Sequence, residues 1–220
     1  MSRNYFKYVV YLYVLIQFSF ANAGSYEDFF KAIRQDDART VQNLLQRGFD
    51  PNTRDPKQQH GLYLALREPS IKVAKVLIDW PKTDLNASNP ADETPLMMAV
   101  LKGQVELVTA MLAKDADVNK TGWTPLHYAA TSGHIALINL LLEKHAYIDA
   151  ESPNGSTPLM MAAMYGTPSA VKLLLEEGAD PLLKNQIGMS AIDFAQKALR
   201  QESADIIGAF VRAKQPKGTW

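Results

Sequence analysis

The chain has 220 residues, and its 23 Lys and Arg balance 23 Asp and Glu, so the formal net charge is zero. A balanced chain has no broad field of one sign with which to hold nucleic acid or an anionic membrane. Cysteine is absent, which removes disulfide scaffolds, thiolate-ligated metals, iron–sulfur clusters and thiol nucleophiles together.

Residues 1–23 read as an export signal. Arg3 and Lys7 precede an apolar run from Tyr8 to Phe20 that only Gln17 and Ser19 interrupt, and Ala21-Asn22-Ala23 is a small-x-small cleavage pattern. Cleavage is therefore expected after Ala23, with periplasmic or secreted localisation and no membrane contact in the mature form. The run falls short of the ~20 residues that span a bilayer, a retained anchor being the alternative. Export without cysteine suits a bacterial periplasm.

From there a single unit recurs. Thr94-Pro95-Leu96-Met97-Met98-Ala99 returns as Thr124-Pro125-Leu126-His127-Tyr128-Ala129 and as Thr157-Pro158-Leu159-Met160-Met161-Ala162. The same frame runs through Ala32, Ala65, Ala99, Ala129, Ala162 and Ala195, with spacings of 33, 34, 30, 33 and 33. Thr-Pro predicts a helix start, because Thr caps orphan N–H groups and Pro fits the first turn. Leu126, Ala129 and Ala130 share a face, and Gly103, Gly133 and Gly166 turn the chain into a second helix. That helix carries apolar residues at helical spacing, as in Ile135, Ile138, Leu141 and Leu142. It is expected to end on left-handed backbone at Gly48, Asp115, His145 and Gly178, followed by an extended hairpin.

A period near 33 carrying T-P-L-H-x-A resembles the ankyrin-repeat family. The resemblance covers about residues 25–214 and implies an all-α solenoid of about six helix–turn–helix units with short β-hairpin fingers. The units fall at about 25–57, 58–90, 91–120, 121–153, 154–186 and 187–214, with 215–220 as a tail. Polar residues such as Asp28, Lys31 and Arg34 at one end, and Gln196, Lys197 and Arg200 at the other, are expected to cap the stack. The second unit departs from the pattern, with His60-Gly61-Leu62 in place of Thr-Pro-Leu and Pro69 in place of Gly. The spacing of 30 shortens the hairpin Asp117–Trp123 and predicts a notch in the row of tips.

Chemical motifs are sparse. No G-x-S-x-G, Walker loop, G-x-G-x-x-G or H-E-x-x-H occurs, so no catalytic residues are expected and the reading is non-enzymatic. Asp115-Ala116-Asp117-Val118-Asn119 opens like a calcium loop but has Lys120 where Gly is required and Leu126 where a bidentate Glu is required. His127, His134 and His145 have positions within the repeat, whereas His60 has none; neither a metal nor a cofactor is assigned. Met97, Met98, Met160, Met161 and Met164 could ligate Cu(I) as thioethers, against a packing role for Met98 and Met161 at a core position. The sequons at Asn86, Asn119 and Asn154 fall in hairpins and are incidental.

What is left is a surface. The resemblance implies a protein partner, held by the hairpin tips and the exposed face of the first helices. By position these are Arg67 from the second unit; Glu93, Leu101 and Lys102 from the third; Trp123, Thr131 and Ser132 from the fourth. The fifth supplies Ser156, Met164 and Tyr165, and the last Met189 and Lys197. Trp123, Tyr165, Met164, Leu101 and Met189 make an apolar strip with a polar rim. The expected function is an exported adaptor that binds a folded protein along its concave face. Exported members of the family imply an enzyme of periplasmic oxidative-stress defence, such as catalase, as one partner class. The alternatives are a periplasmic copper or small-ligand binder, and a secreted effector or neutralising protein.

Overall fold

The structure, a computed structural model, describes residues 24–214; the expected signal peptide and the tail lie outside the described residues. Helices occupy residues 24–34 (α1), Ala38–Gln46 (α2), Gly61–Arg67 (α3), Ile71–Asp79 (α4), Pro95–Leu101 (α5) and Val105–Leu112 (α6). They continue as Pro125–Ser132 (α7), Ile135–Glu143 (α8), Pro158–Met164 (α9), Pro168–Glu176 (α10), Ala191–Lys197 (α11) and Gln201–Lys214 (α12). The chain divides at Asp84 into an N-terminal unit holding α1 to α4 and a C-terminal unit holding α5 to α12.

The Thr-Pro starts work as expected. Thr94 and Thr157 accept the N–H groups of Met97 and Met160 through their side chains, and Pro opens α5, α7 and α9. In the reciprocal half of the cap, the Thr124 N–H donates to His127 Nδ1 at 3.1 Å. Met97 and Met160 stand in for that histidine: each sulfur accepts the N–H of its Thr at 3.4 Å. His60 takes the missing Thr's place, its Nδ1 accepting the Leu62 N–H at 3.2 Å and capping α3.

In the C-terminal unit the first helices pack side by side in the order α5, α7, α9, α11, and α6, α8, α10 and α12 form the second layer. The core between layers is made of fully buried residues such as Leu96, Leu107, Met111, Leu126, Leu137 and Ile138. Small residues let the first helices approach: a Cβ on Gly166 would meet the Ala130 carbonyl oxygen at 2.3 Å. In the N-terminal unit α2 packs on α4, and two bonds staple its repeats. The Ser70 hydroxyl donates to the Ile33 carbonyl at 2.5 Å, and the Val73 N–H donates to the Asp36 carboxylate at 2.9 Å.

Second helices leave through left-handed residues where expected, with φ of 60° at Asp115 and 63° at His145. Asparagines, and Asp149 at one junction, then tie successive repeats. Asn119 receives the Tyr147 N–H and donates to the His145 carbonyl, both at 2.8 Å, and Asn86 receives the Asp117 N–H. This answers the incidental reading of two sequons, whose side chains are committed to the stack.

Two expectations need correction. The fingers are not β-hairpin ladders: among the described residues the only isolated bridge pairs Arg54 with His60. Four of the fingers, all but the shortened one before α7, are instead five-residue loops closed by their own backbone, as in Asn185 N–H to Met189 O (3.0 Å) and Gly188 N–H to Asn185 O (2.9 Å). The arms on either side are too short for a strand. Ile135, expected on the core face of α8, is 36% exposed at the first turn, where the helix begins outside the contact with its neighbours.

Candidate functional site

Repeat register decides what the first-helix face presents. One residue before each repeat alanine stand Met98, Tyr128, Met161 and Phe194, and two and three residues after stand Leu101-Lys102, Thr131-Ser132, Met164-Tyr165 and Lys197-Ala198. Because α5, α7, α9 and α11 are successive neighbours, equivalent positions become rows across the C-terminal unit. The sequence reading named the second row and missed most of the first. Tyr128, Met161 and Phe194 are half-buried rather than core, so Met161 is not the packed residue expected, whereas Met98 is buried. The missing signal was available in the register: the position between His and Ala in T-P-L-H-x-A lies beside the open face.

Within the rows, side chains have different degrees of freedom. Tyr165 is 52% exposed at the end of α9, and its carbonyl and that of Gly166 accept the Arg200 guanidinium at 3.1 and 2.7 Å. A cation at a helix C-terminus is favourable there. Thr131 donates its hydroxyl to the His127 carbonyl at 2.7 Å, leaving its methyl outward. Leu101, Ser132 and Met164 are half-buried and Lys102 exposed.

The finger residues are held more tightly. Glu93 accepts the Tyr128 hydroxyl at 3.1 Å and the Asn89 side-chain amide at 2.9 Å, so finger and helix are joined through a carboxylate. Trp123 stacks edge-on against His127 with ring centroids 5.2 Å apart and is half-buried. Ser156 is buried at 1% exposure and belongs to the scaffold. Met189 is half-buried in the last finger, where its N–H donates to Asn185. Beside it Ile187, which sequence reasoning passed over, is 75% exposed. The short segment before α7 is pinned by the Lys120–Asp92 ion pair and by the Asn119 N–H to the Asp117 carboxylate at 2.8 Å.

Arg67 lies in the N-terminal unit. Its guanidinium is fixed by Glu68 (3.0 and 2.8 Å from Nε and Nη2) and by Gln59 (2.9 Å).

His127, His60 and Asp193 are committed to helix caps. Burial pushes His127 and His60 down to about 4. In both, Nδ1 accepts a backbone N–H, so the neutral ring carries its proton on Nε2. That proton goes to the Ser156 carbonyl at 2.9 Å in one case and to the Asn52 side chain at 3.1 Å in the other. The Ser190 hydroxyl and N–H hold Asp193 below the usual carboxylate range. Of the donors open to the copper alternative, the Met97 and Met160 sulfurs are buried and engaged as cap acceptors and His127 offers neither nitrogen, which leaves Met161 and Met164 half-buried. Among the described residues no helix is long and apolar enough to cross a membrane.

The family model for ankyrin repeats matches three times, over residues 29–121, 62–152 and 113–185. The chain belongs to the ankyrin-repeat family. It is 33% identical over 143 residues to the ankyrin repeat and SAM domain-containing protein 6 of Rattus norvegicus, covering 65% of this chain and 13% of that protein. It is 30% identical over 166 residues to the transient receptor potential cation channel subfamily A member 1 of Homo sapiens, covering 70% and 15%. The chain thus spans a small fraction of these relatives. Among solved structures, a predatory endopeptidase from Bdellovibrio bacteriovorus in complex with an immunity protein contains a chain matched with a TM-score of 0.71 and 28% identity. That match covers 83% of this chain and 97% of the other. Ankyrin repeats mark the chain as a protein–protein interaction module.

Proposed function

We propose that the chain is an exported, non-catalytic binding protein of the neutralising kind, which holds a folded enzyme against its first-helix face and blocks it. The observation that carries this reading is the near end-to-end match to a chain of a complex between an endopeptidase and an immunity protein. The long ankyrin-containing relatives, by contrast, share only a segment with it. An endopeptidase is therefore favoured over an oxidative-stress enzyme as the partner. The contact residues of this reading are the half-open rows: Tyr128, Met161 and Phe194, with Leu101, Thr131, Met164 and Tyr165. The fingers add Trp123, Glu93, Met189 and Ile187 at the edge. Aromatic side chains on a rigid support suit hot spots, since they bury large area at small entropic cost, and the flexible thioethers adapt to the surface they meet. Export follows the leader pattern in residues 1–23 and is tested by fractionating cells.

The test is inhibition. Residues 24–220 and a Trp123→Ala/Met164→Ala/Tyr165→Ala variant are titrated against purified endopeptidase of that predatory type. Stoichiometric inhibition by the parent chain, lost by a variant whose circular-dichroism melt is unchanged, is the expected result. Equal inhibition by both chains places the contact elsewhere, and none by either sinks the reading.

A further inference from the structure

The N-terminal unit carries a cleft of about 420 Å³ that the first-helix rows of the C-terminal unit do not involve. Its floor is Phe30, Ile33 and Leu64, each buried, contributed by α1 and α3. Tyr26 stands at one side, with its ring 4.9 Å from that of Phe30 at an interplanar angle of 60° and its hydroxyl donating to the Arg54 carbonyl at 3.3 Å. Phe30 in turn meets Phe29 edge-on at 5.2 Å, and Phe29 lies 4.8 Å from Phe49. The cleft is therefore the open end of a chain of aromatic contacts. On the α3 side stands Arg67, whose guanidinium plane is locked by Glu68 and Gln59.

Charge at the mouth says what fits. Arg67 and Glu68 neutralise one another at 2.8 Å. The rest of the rim has Lys31 and Arg34 opposed by Glu27 and Asp55, two of each sign. An occupant with net charge would meet as much repulsion as attraction, and would give up its hydration over an apolar floor. A neutral planar ring loses nothing of that kind. It extends the edge-to-face series of Tyr26 and Phe30, and the fixed guanidinium offers it a cationic face that does not have to be ordered first.

We infer that this cleft receives a neutral aromatic side chain, presented on a loop of the protein partner. The inference rests on the protein-binding reading above and adds a second anchor to it, in the N-terminal unit. The experiment isolates the cleft from the identity of the partner. Methyl signals of Ile33 and Leu64 are followed by NMR in residues 24–220 during titration with N-acetyl-L-tryptophanamide. The corresponding leucine, lysine and aspartate amides are run at equal concentration. Saturable shifts with the tryptophan amide, and several-fold weaker binding of the other three, are expected. Arg67→Ala should weaken the tryptophan amide about two- to fivefold, the size of a partly exposed cation–π contact. Arg67→Lys, which keeps charge and stem but loses the plane, guards against a packing effect and should weaken it as well. Leu182→Ala, at an exposed position of the other unit, should leave it unchanged.

Absence of saturable shifts overturns the inference, as does equal binding of a charged amide or indifference to both Arg67 variants. The two readings fail separately. A chain that takes the amide but inhibits no endopeptidase sinks the proposed function and supports the cleft's chemistry. A chain that inhibits an endopeptidase but takes no amide sinks the cleft alone.

Discussion

Replacing His127 by Met tests whether the helix caps, rather than any chemistry, account for the buried histidines. Burial lowers His127 from 6.5 to about 4. The folded state thus favours the neutral ring, while the unfolded chain takes up a proton near 6.5. Stability is full above that value and is lost as pH falls from 6.5 toward 4. At pH 5 the loss is about 2 kcal/mol per histidine. The structural reason is that protonating Nδ1 would set two donors, the ring and the Thr124 N–H, against each other at 3.1 Å. Methionine does the same capping at Thr94 and Thr157 with no proton to gain. His127→Met keeps the Thr124 acceptor but gives up the bond from Nε2 to the Ser156 carbonyl, a cost of about 1–2 kcal/mol at neutral pH. Urea denaturation followed by circular dichroism at pH 7.5 and 5.0 reads both terms. The parent should be the more stable at pH 7.5, with the gap closed or reversed at pH 5.0. The carboxylates held low, Asp37 and Asp193, titrate below this window. A gap of the same size at both pH values would falsify the account.

Two further substitutions probe the repeat's departures from its own pattern. Pro69 occupies the turn where the third, fourth and fifth units have Gly, and it brings no N–H to that turn. Its counterparts Gly103 and Gly133 donate their N–H to Val100 and Ala130 at 3.0 and 3.2 Å. Pro69→Gly supplies the donor and, set against the entropy of the extra glycine, should stabilise the N-terminal unit by about 0.5 kcal/mol; a lower melting temperature counts against it. Arg200→Ala removes two charge-assisted bonds to the end of α9 and should cost about 1–3 kcal/mol, with Arg200→Lys between the two in the same melt.

The architecture was legible because each unit repeats the same punctuation. Thr-Pro, the paired alanines, the turn glycines and the left-handed Asp115 and His145 all specify local backbone, and local rules transfer from one unit to the next. His60 was not legible, because it caps α3 from a position where the repeat has Thr and its second partner, Asn52, lies in the finger before it. The loops were read as hairpins since the family's name for them was carried over. Asp55, Asn89 and Asn185 close them instead with side-chain acceptors for the following N–H groups. The first-helix face was half legible. Met164 and Tyr165 follow from register, but Met161 was taken for a core position and Tyr128 and Phe194 were passed over, because the alternation of buried and half-open residues across a short helix depends on its neighbours. The N-terminal cleft was not legible at all, since Tyr26 comes from the first repeat and Leu64 and Arg67 from the second, and no period links them.

The repeat also separates structural departures from functional ones. Where the chain varies at a buried cap, the replacement does the same work: Met97, His127 and Met160 each accept the N–H of the Thr three residues before. Such variation carries no information about a partner. Where it varies at an open position, nothing in the fold compensates. After the buried Met98, the residue before the repeat alanine is Tyr, Met and then Phe along the C-terminal unit, and the last finger shows Ile187 where others show Lys57, Ala91 and Asn154. A solenoid could satisfy those positions with any small polar residue, and burying nothing there costs it nothing. Large apolar groups kept at half-open sites on a scaffold this regular support the proposed contact face, and they bear on it more directly than the histidines do.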